Sequence, residues 1–144
     1  MGMLNKDYIV DQFVRFAEAI RLGLEKTSSG GDDTTMATDL LEAQIGESVN
    51  IDGSALLALA PESVASILQV SDTDPMAVEY IVRSLLLESK LLGQSGNTQA
   101  ATLRSQQAYA VAESYGISLS DALLDPDEIE RFFKETMGEL TDED

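Results

Sequence analysis

Histidine, cysteine and tryptophan are all absent from this sequence. Without histidine and cysteine, the chain cannot form a thiol nucleophile, a Ser-His-Asp triad, a zinc finger or most transition-metal sites. Basic side chains are few, because 9 Lys and Arg stand against 26 Asp and Glu, for a formal net charge of -17. Nucleic-acid backbones and anionic membranes are bound through Lys and Arg. The composition therefore predicts that neither is a partner, and it indicates no cofactor.

Long apolar runs are absent too. The longest, residues 55–60, is far shorter than the ~18 residues that indicate a membrane span. Lys6, Asp7 and Asp11 interrupt the N-terminal segment before the apolar stretch of a secretion signal develops. These features, together with a cysteine-free composition that fits a reducing compartment, predict a soluble, cytoplasmic protein.

What the sequence contains is enough apolar material for one core. Its 144 residues fit a single domain, and 44% of them are hydrophobic. No segment alternates apolar and polar residues between hairpin turns, which argues against a sheet. We expect an all-α fold, a single compact domain of about seven to eight helices.

The N-terminal half predicts two helices separated by a loop. The first is an amphipathic helix over residues 5–26, capped by Asn5, whose apolar stripe recurs every three or four residues: Ile9, Phe13, Phe16, Ala17, Ile20 and Leu24. Residues 27–33, TSSGGDD, are small and polar and predict a flexible loop. A second helix over 34–45 should then end at Gly46.

The centre of the chain predicts a helical hairpin over residues 75–115. Asp74 and Pro75 begin its first helix, which is apolar over most of its circumference and is therefore expected among several neighbours. The polar turn 94–97 leads to an antiparallel second helix that ends at Gly116.

Proline residues mark the helices on either side of the hairpin. Pro61 is expected to begin a helix that reaches residue 69. Pro126, preceded by Asp125, begins a last helix to about residue 137, with residues 138–144 as a frayed acidic tail. The apolar face of this last helix has four members: Ile129, Phe132, Phe133 and Met137.

Acidic residues are concentrated in the middle of the chain. Between Thr27 and Val82 there is no Lys or Arg, and the carboxylates in this stretch are Asp32, Asp33, Asp39, Glu42, Glu47, Asp52, Glu62, Asp72, Asp74 and Glu79. They are interpreted either as an acidic surface for a basic partner or divalent cation, or as solvated and helix-capping groups. Asp33, Asp52 and Asp74 lie where helix caps are needed, so capping is the better interpretation residue by residue.

Two tighter clusters carry no site assignment. Ser48, Asn50, Asp52 and Gly53 have the spacing of a calcium loop, but its twelfth position is Leu59 instead of the bidentate Glu. The densest acidic cluster fits helix initiation: Asp125, Asp127, Glu128 and Glu130. We therefore assign no catalytic, cofactor-binding or metal-ligating residue from the sequence.

One segment resembles the second half of a tetratricopeptide unit. It is Gly96-Asn97-Thr98-Gln99-Ala100-Ala101 followed by Ala108, in which the glycine would form the turn and the two alanines would permit close helix packing. The segment from Asn5 to Val10, with Gln12, is similar to the opening of an uncharacterised bacterial family of small all-helical proteins. That resemblance implies a fold and no catalytic residues.

Three functional hypotheses follow. The leading one is a non-enzymatic protein–protein interaction or scaffold protein. The second is a carboxylate-based enzyme or small-ligand binder, which requires at least two carboxylates converging on a pocket between helices. The third is self-association through a helix face that includes Phe132 and Phe133. Among the tyrosines, Tyr8 and Tyr109 lie near the edges of their apolar stripes and are the ones to examine for exposure.

Overall fold

The computed structural model describes residues 2–29 and 34–141, which form seven α-helices and one 3-10 turn and contain no strand. The elements in chain order are α1 (Gly2–Ser29), α2 (Thr35–Val49), α3 (Gly53–Leu56), α4 (Pro61–Val70), α5 (Pro75–Gln94), α6 (Thr98–Tyr115), the 3-10 turn (Asp121–Leu124) and α7 (Pro126–Thr141). One continuous hydrophobic core joins them. The all-α, single-domain prediction is confirmed.

Helix α1 is longer than predicted at both ends. It begins at Gly2, so Asn5 lies within it rather than capping it, and it continues to Ser29. The Thr27 hydroxyl donates to the Leu24 carbonyl at 2.7 Å, so a side chain expected to favour a loop instead bonds back to the helix. The remaining predicted loop residues, 30–33, lie outside the described residues, and they include the predicted cap Asp33.

Helix α5 is the central element, as its apolar circumference predicted. It packs against α1, α2 and α6 and also touches the 3-10 turn. Residues on all its sides are buried, Tyr80, Val82, Leu85 and Leu87 among them. A short turn reverses the chain into α6, whose first turn is capped by Asn97, with the Ala100 amide donating to its side-chain oxygen at 3.2 Å.

Gly46 was predicted to end the second helix, and that prediction is wrong. Helix α2 passes through Gly46 and ends at Val49, where Asn50 adopts the left-handed conformation with φ of 59°. Gly46 instead permits close packing, because a Cβ at this position would overlap the backbone of Ile51 and Gly53. Both roles need a residue without a Cβ, and the sequence alone does not distinguish them.

The other predicted helix ends are placed largely as expected. Asp52 and Asp74 accept from the Ala55 amide at 3.1 Å and the Met76 amide at 2.7 Å, so both act as caps. Helix α7 begins at Pro126 but runs to Thr141, so residues 138–141 are helical rather than frayed. Leu140 packs against the core, which explains why the last turn persists.

Candidate functional site

A buried polar network centred on Arg104 connects four parts of the fold. The Arg104 guanidinium donates to Glu88 from α5 at 3.0 Å and to Glu42 from α2 at 3.0 Å. It also donates to the Leu57 carbonyl after α3 at 2.9 Å and to the side-chain oxygen of Gln107 at 3.2 Å. The Gln107 amide in turn donates to the carbonyls of Leu57 and Leu59 at 3.0 and 2.9 Å. We call these residues the Arg104 network.

Glu88 is the most buried carboxyl group of this network, with 0% of its side chain exposed. The pKa of Glu88 is raised to about 9. Burial is the largest cause and the neighbouring Glu42 carboxylate the second, and Arg104 acts in the opposite direction. One of its oxygens, Oε2, lacks a hydrogen-bond partner among the described residues. A charged oxygen left unpaired in the core is costly, so the protonated form is favoured at neutral pH.

The convergence of Glu42 and Glu88 resembles the carboxylate pair that the enzyme hypothesis requires. However, the Arg104 guanidinium binds both carboxyl groups at 3.0 Å, and only 12% of its side chain is exposed. A substrate would have to displace this cation and open the core to reach Glu88. The geometry therefore fits a structural role, fixing α2, α5 and α6 relative to one another.

The raised pKa of Glu88 predicts a pH-dependent stability. Because the folded-state pKa lies above the ordinary value of 4.5, the contribution of this group is complete below that pH and is lost as pH rises through about 9. The groups that face it are Glu42 of α2 and Arg104 of α6. Between pH 5 and 9, the unfolding free energy of the wild type is expected to fall relative to Glu88→Gln, by on the order of 1 kcal/mol per pH unit at most.

Urea denaturation of both proteins across this pH range measures the difference. Glutamine keeps an acceptor for Arg104 and a donor toward Glu42 but cannot titrate, and the carboxylates outside the Arg104 network contribute equally to both proteins. Parallel stability curves from pH 5 to 9 would show that Glu88 is ionised throughout that range and would contradict the assignment.

The sequence did not lead us to this network, although it contains a signal. Arg104 is the only Lys or Arg between Lys90 and Arg131, and Glu88 lies within a helix that is apolar over most of its circumference. An isolated cation on a helix with small residues, and an acid within an apolar helix, together indicate a buried pair.

A surface groove lies on the opposite side of α6. It has a volume of about 640 Å³ and is bordered by Pro61, Glu62, Ser105, Gln106, Tyr109, Ala110, Glu113 and Leu119. Tyr109 is 59% exposed and Leu119 is 37% exposed, although both are large apolar side chains. We call this feature the α4–α6 groove. Tyr8, the other tyrosine singled out in the sequence, is 54% exposed on α1 and does not line it.

The charged side chains that line the α4–α6 groove are both acidic, Glu62 and Glu113. The adjoining surface shares Leu119 with the groove and carries Asp121 and Asp125 together with one exposed cation, Lys90 of α5. Helices α4 and α6 and residues 116–125 contain a single cation, Arg104, and that cation points inward into its network. The groove therefore presents the apolar side chains of Tyr109 and Leu119 beside two carboxylates.

The acidic side chains at the start of α7 form hydrogen bonds and ion pairs with nearby groups. Asp125 accepts from the Asp127 amide at 3.0 Å, as a helix cap does. Glu130 receives two hydrogen bonds from Arg21, at 2.6 and 2.8 Å, and Glu128 pairs with Arg131. These contacts support the helix-initiation interpretation and add a link between α7 and α1.

The α7 aromatic residues face inward. The Phe132 ring lies 4.9 Å from the Tyr80 ring and 4.3 Å from the Arg83 guanidinium, measured to its centroid. The Phe133 ring lies 4.9 Å from Arg21. Both phenylalanines are half-buried in these contacts.

Within residues 2–29 and 34–141, no group of three or more acidic side chains is placed to hold a metal ion. The helices of this part of the chain do not include one that is long and apolar enough to cross a membrane.

Comparison of the chain with protein-family models, curated proteins and solved structures finds no match.

Proposed function

We propose that the protein is a non-enzymatic interaction protein that binds a positively charged segment of another protein in the α4–α6 groove. The observation that carries the proposal is the exposure of Tyr109 and Leu119 beside Glu62 and Glu113, with no outward-facing cation on α4 or α6. Exposed aromatic side chains are enriched at the centres of protein interfaces, and complementary charge at the rim provides specificity.

The alternative of a carboxylate-based enzyme or small-ligand binder is less well supported. The convergence of Glu42 and Glu88 favours it, but Arg104 already binds both carboxyl groups. The α4–α6 groove itself contains only one aromatic side chain and is open to solvent, whereas small-molecule sites enclose most of their ligand.

We also propose that the α5–α6 hairpin is tetratricopeptide-like and that the chain is a bacterial, cytoplasmic protein of the small helical family named above. Buried Ala108 and the close approach of Ala101, 3.9 Å from a Cβ built on Gly93, support close packing within the hairpin. A binding role fits that architecture, in which helical hairpins present grooves to partners.

Affinity capture from the source cells tests the proposed function. The wild type and Tyr8→Ala are expected to retain the same protein partner, whereas Tyr109→Ala should recover about tenfold less of it, the loss typical of an aromatic residue at the centre of an interface. Tyr8 is the matched control because it is exposed to a similar extent elsewhere. Recovery should also decrease as salt is raised. Equal recovery of the partner by Tyr8→Ala and Tyr109→Ala, or loss of the partner only in Tyr8→Ala, would refute this function.

A further inference from the structure

We infer that the occupant of the α4–α6 groove is an amphipathic α-helix of a partner protein, with a Lys or Arg at each end of a short apolar stripe. This inference rests on the proposed function and specifies the partner of the same groove. Four observations lead to it: the direction of α4 and α6, the length of the groove, its floor and the placement of its carboxylates.

Helices α4 and α6 run side by side in the same direction. The Gln107 amide donates to the Leu59 carbonyl, just before α4, at 2.9 Å. The Gln69 amide, near the end of α4, donates to the Ser114 carbonyl near the end of α6 at 3.4 Å. The groove follows α6 from Ser105 to Glu113, a rise of about 12 Å at 1.5 Å per residue. Two turns of a partner helix have nearly the same length, about 11 Å.

The composition of the floor favours a helix over an extended peptide. An extended peptide gains affinity by pairing with a free strand edge, and the elements beside this groove are helices whose backbone groups pair internally. A polyproline segment needs several aromatic side chains, and Tyr109 is the only one here. The small side chain of Ala110 leaves depth beside Tyr109 and Leu119, which suits apolar side chains three or four residues apart on a helix.

The carboxylates determine where the partner's cations belong. Glu62 lies in the first turn of α4 and Glu113 near the end of α6, so the two acids mark opposite ends of the groove. A partner helix that spans about two turns would place Lys or Arg at positions i and i+7, with apolar residues at i+3 and i+4 between them. A second copy of this chain fits poorly, because it would bring two surfaces of the same charge together.

A defined probe tests this inference. We would use a fluorescein-labelled, alanine-based helical peptide containing Lys-x-x-Leu-Leu-x-x-Lys. The control peptide has the same composition, with both lysines moved to the opposite face of the helix. Fluorescence anisotropy is expected to show about tenfold tighter binding of the first peptide, because only its charges meet Glu62 and Glu113. Amide chemical shifts should change along residues 105–113 and around Pro61 and Leu119.

Charge reversal adds a second measurement. Its rescue by a complementary peptide distinguishes a lost contact from a folding defect. Glu113→Lys is expected to weaken binding of the lysine peptide about tenfold and to restore it when the peptide's matching lysine is replaced by glutamate. Glu18→Lys, an exposed acid on α1, makes the same change in net charge and should have little effect. This control separates the local contact from the attraction of a protein with a net charge of -17.

The outcomes distinguish the occupant from the function. Equal binding of both peptides, equal effects of Glu113→Lys and Glu18→Lys, or shift changes on another face would overturn the helical occupant. If affinity capture still depends on Tyr109 in that case, the groove binds a partner of another shape. Concentration-dependent dimerisation that Tyr109→Ala abolishes would assign the groove to a second copy and would also overturn the inference.

Discussion

Replacing Arg104 with methionine is expected to lower the free energy of unfolding by about 3 kcal/mol at neutral pH, because a buried acceptor left without its donor costs about 1–3 kcal/mol. The substitution deletes hydrogen bonds to Glu88, Glu42, Gln107 and the Leu57 carbonyl. It also removes the positive charge that contacts both carboxyl groups. Urea or guanidinium denaturation measures the change.

Arg15→Met is the matched control for this prediction. Arg15 also contacts two carboxylates, Asp11 and Glu47, each at 2.8 Å. Its side chain is 41% exposed, however, and exposed ion pairs contribute at most about 1 kcal/mol. Similar losses in the two variants would show that the Arg104 network contributes no more than a surface pair.

Gly53→Ala is expected to destabilise the protein by about 3 kcal/mol, at the upper end of the cost of overpacking. A Cβ on Gly53 would overlap the carbonyl oxygen and carbon of Glu42. Because those atoms belong to the backbone, they cannot rotate away as the end of a flexible side chain can. Helix α2 would have to shift, and the Glu42 carboxylate would then move away from Arg104.

Gly138→Ala is the control for the close contact at Gly53. Gly138 lies in α7, and a Cβ built there meets nothing within 4 Å. Alanine in a helix is favoured over glycine, so this variant should gain up to about 1 kcal/mol. Thermal or chemical denaturation compares the pair. A neutral Gly53→Ala would mean that α2 and α3 are not held in this close approach.

The helices could be predicted from the sequence because their signals are local. Asp74 with Pro75 begins α5 as expected, and Gly116, with φ of 69°, ends α6 as expected. The predictions of helix ends were wrong where tertiary contacts determine the end of the helix. Gly46 looks like a helix terminator until Gly53 is brought against it, and residues 138–141 look like a tail until Leu140 reaches the core.

The candidate site was only half predictable for a similar reason. Tyr109 was singled out for its position near the edge of an apolar stripe, and the structure shows that it is 59% exposed. The Arg104 network draws Glu42, Glu88 and Arg104 from three different helices, and helical periodicity assigns each charge to a surface by default. Local patterns carry no information about which charges meet across the core.

The two faces of α6 connect the network with the groove. Arg104 and Gln107 point inward and bind groups on α2, α5 and the segment before α4. Those contacts fix the rotation of α6, so that Tyr109 and Glu113 point outward. They also hold Leu59, two residues before Pro61, which positions the start of α4 beside the groove. The buried network therefore shapes the docking surface without touching a partner.

Site-specific photo-crosslinking in the source cells tests the docking role of the α4–α6 groove most directly. A photoreactive phenylalanine analogue would replace Tyr109 in one protein and Tyr8 in another. We expect the analogue at position 109 to crosslink one protein partner through a peptide containing an apolar stripe and Lys or Arg, and the analogue at position 8 not to do so. Crosslinks to the same partner from both positions, or from position 8 alone, would contradict the assignment of the groove as the docking surface.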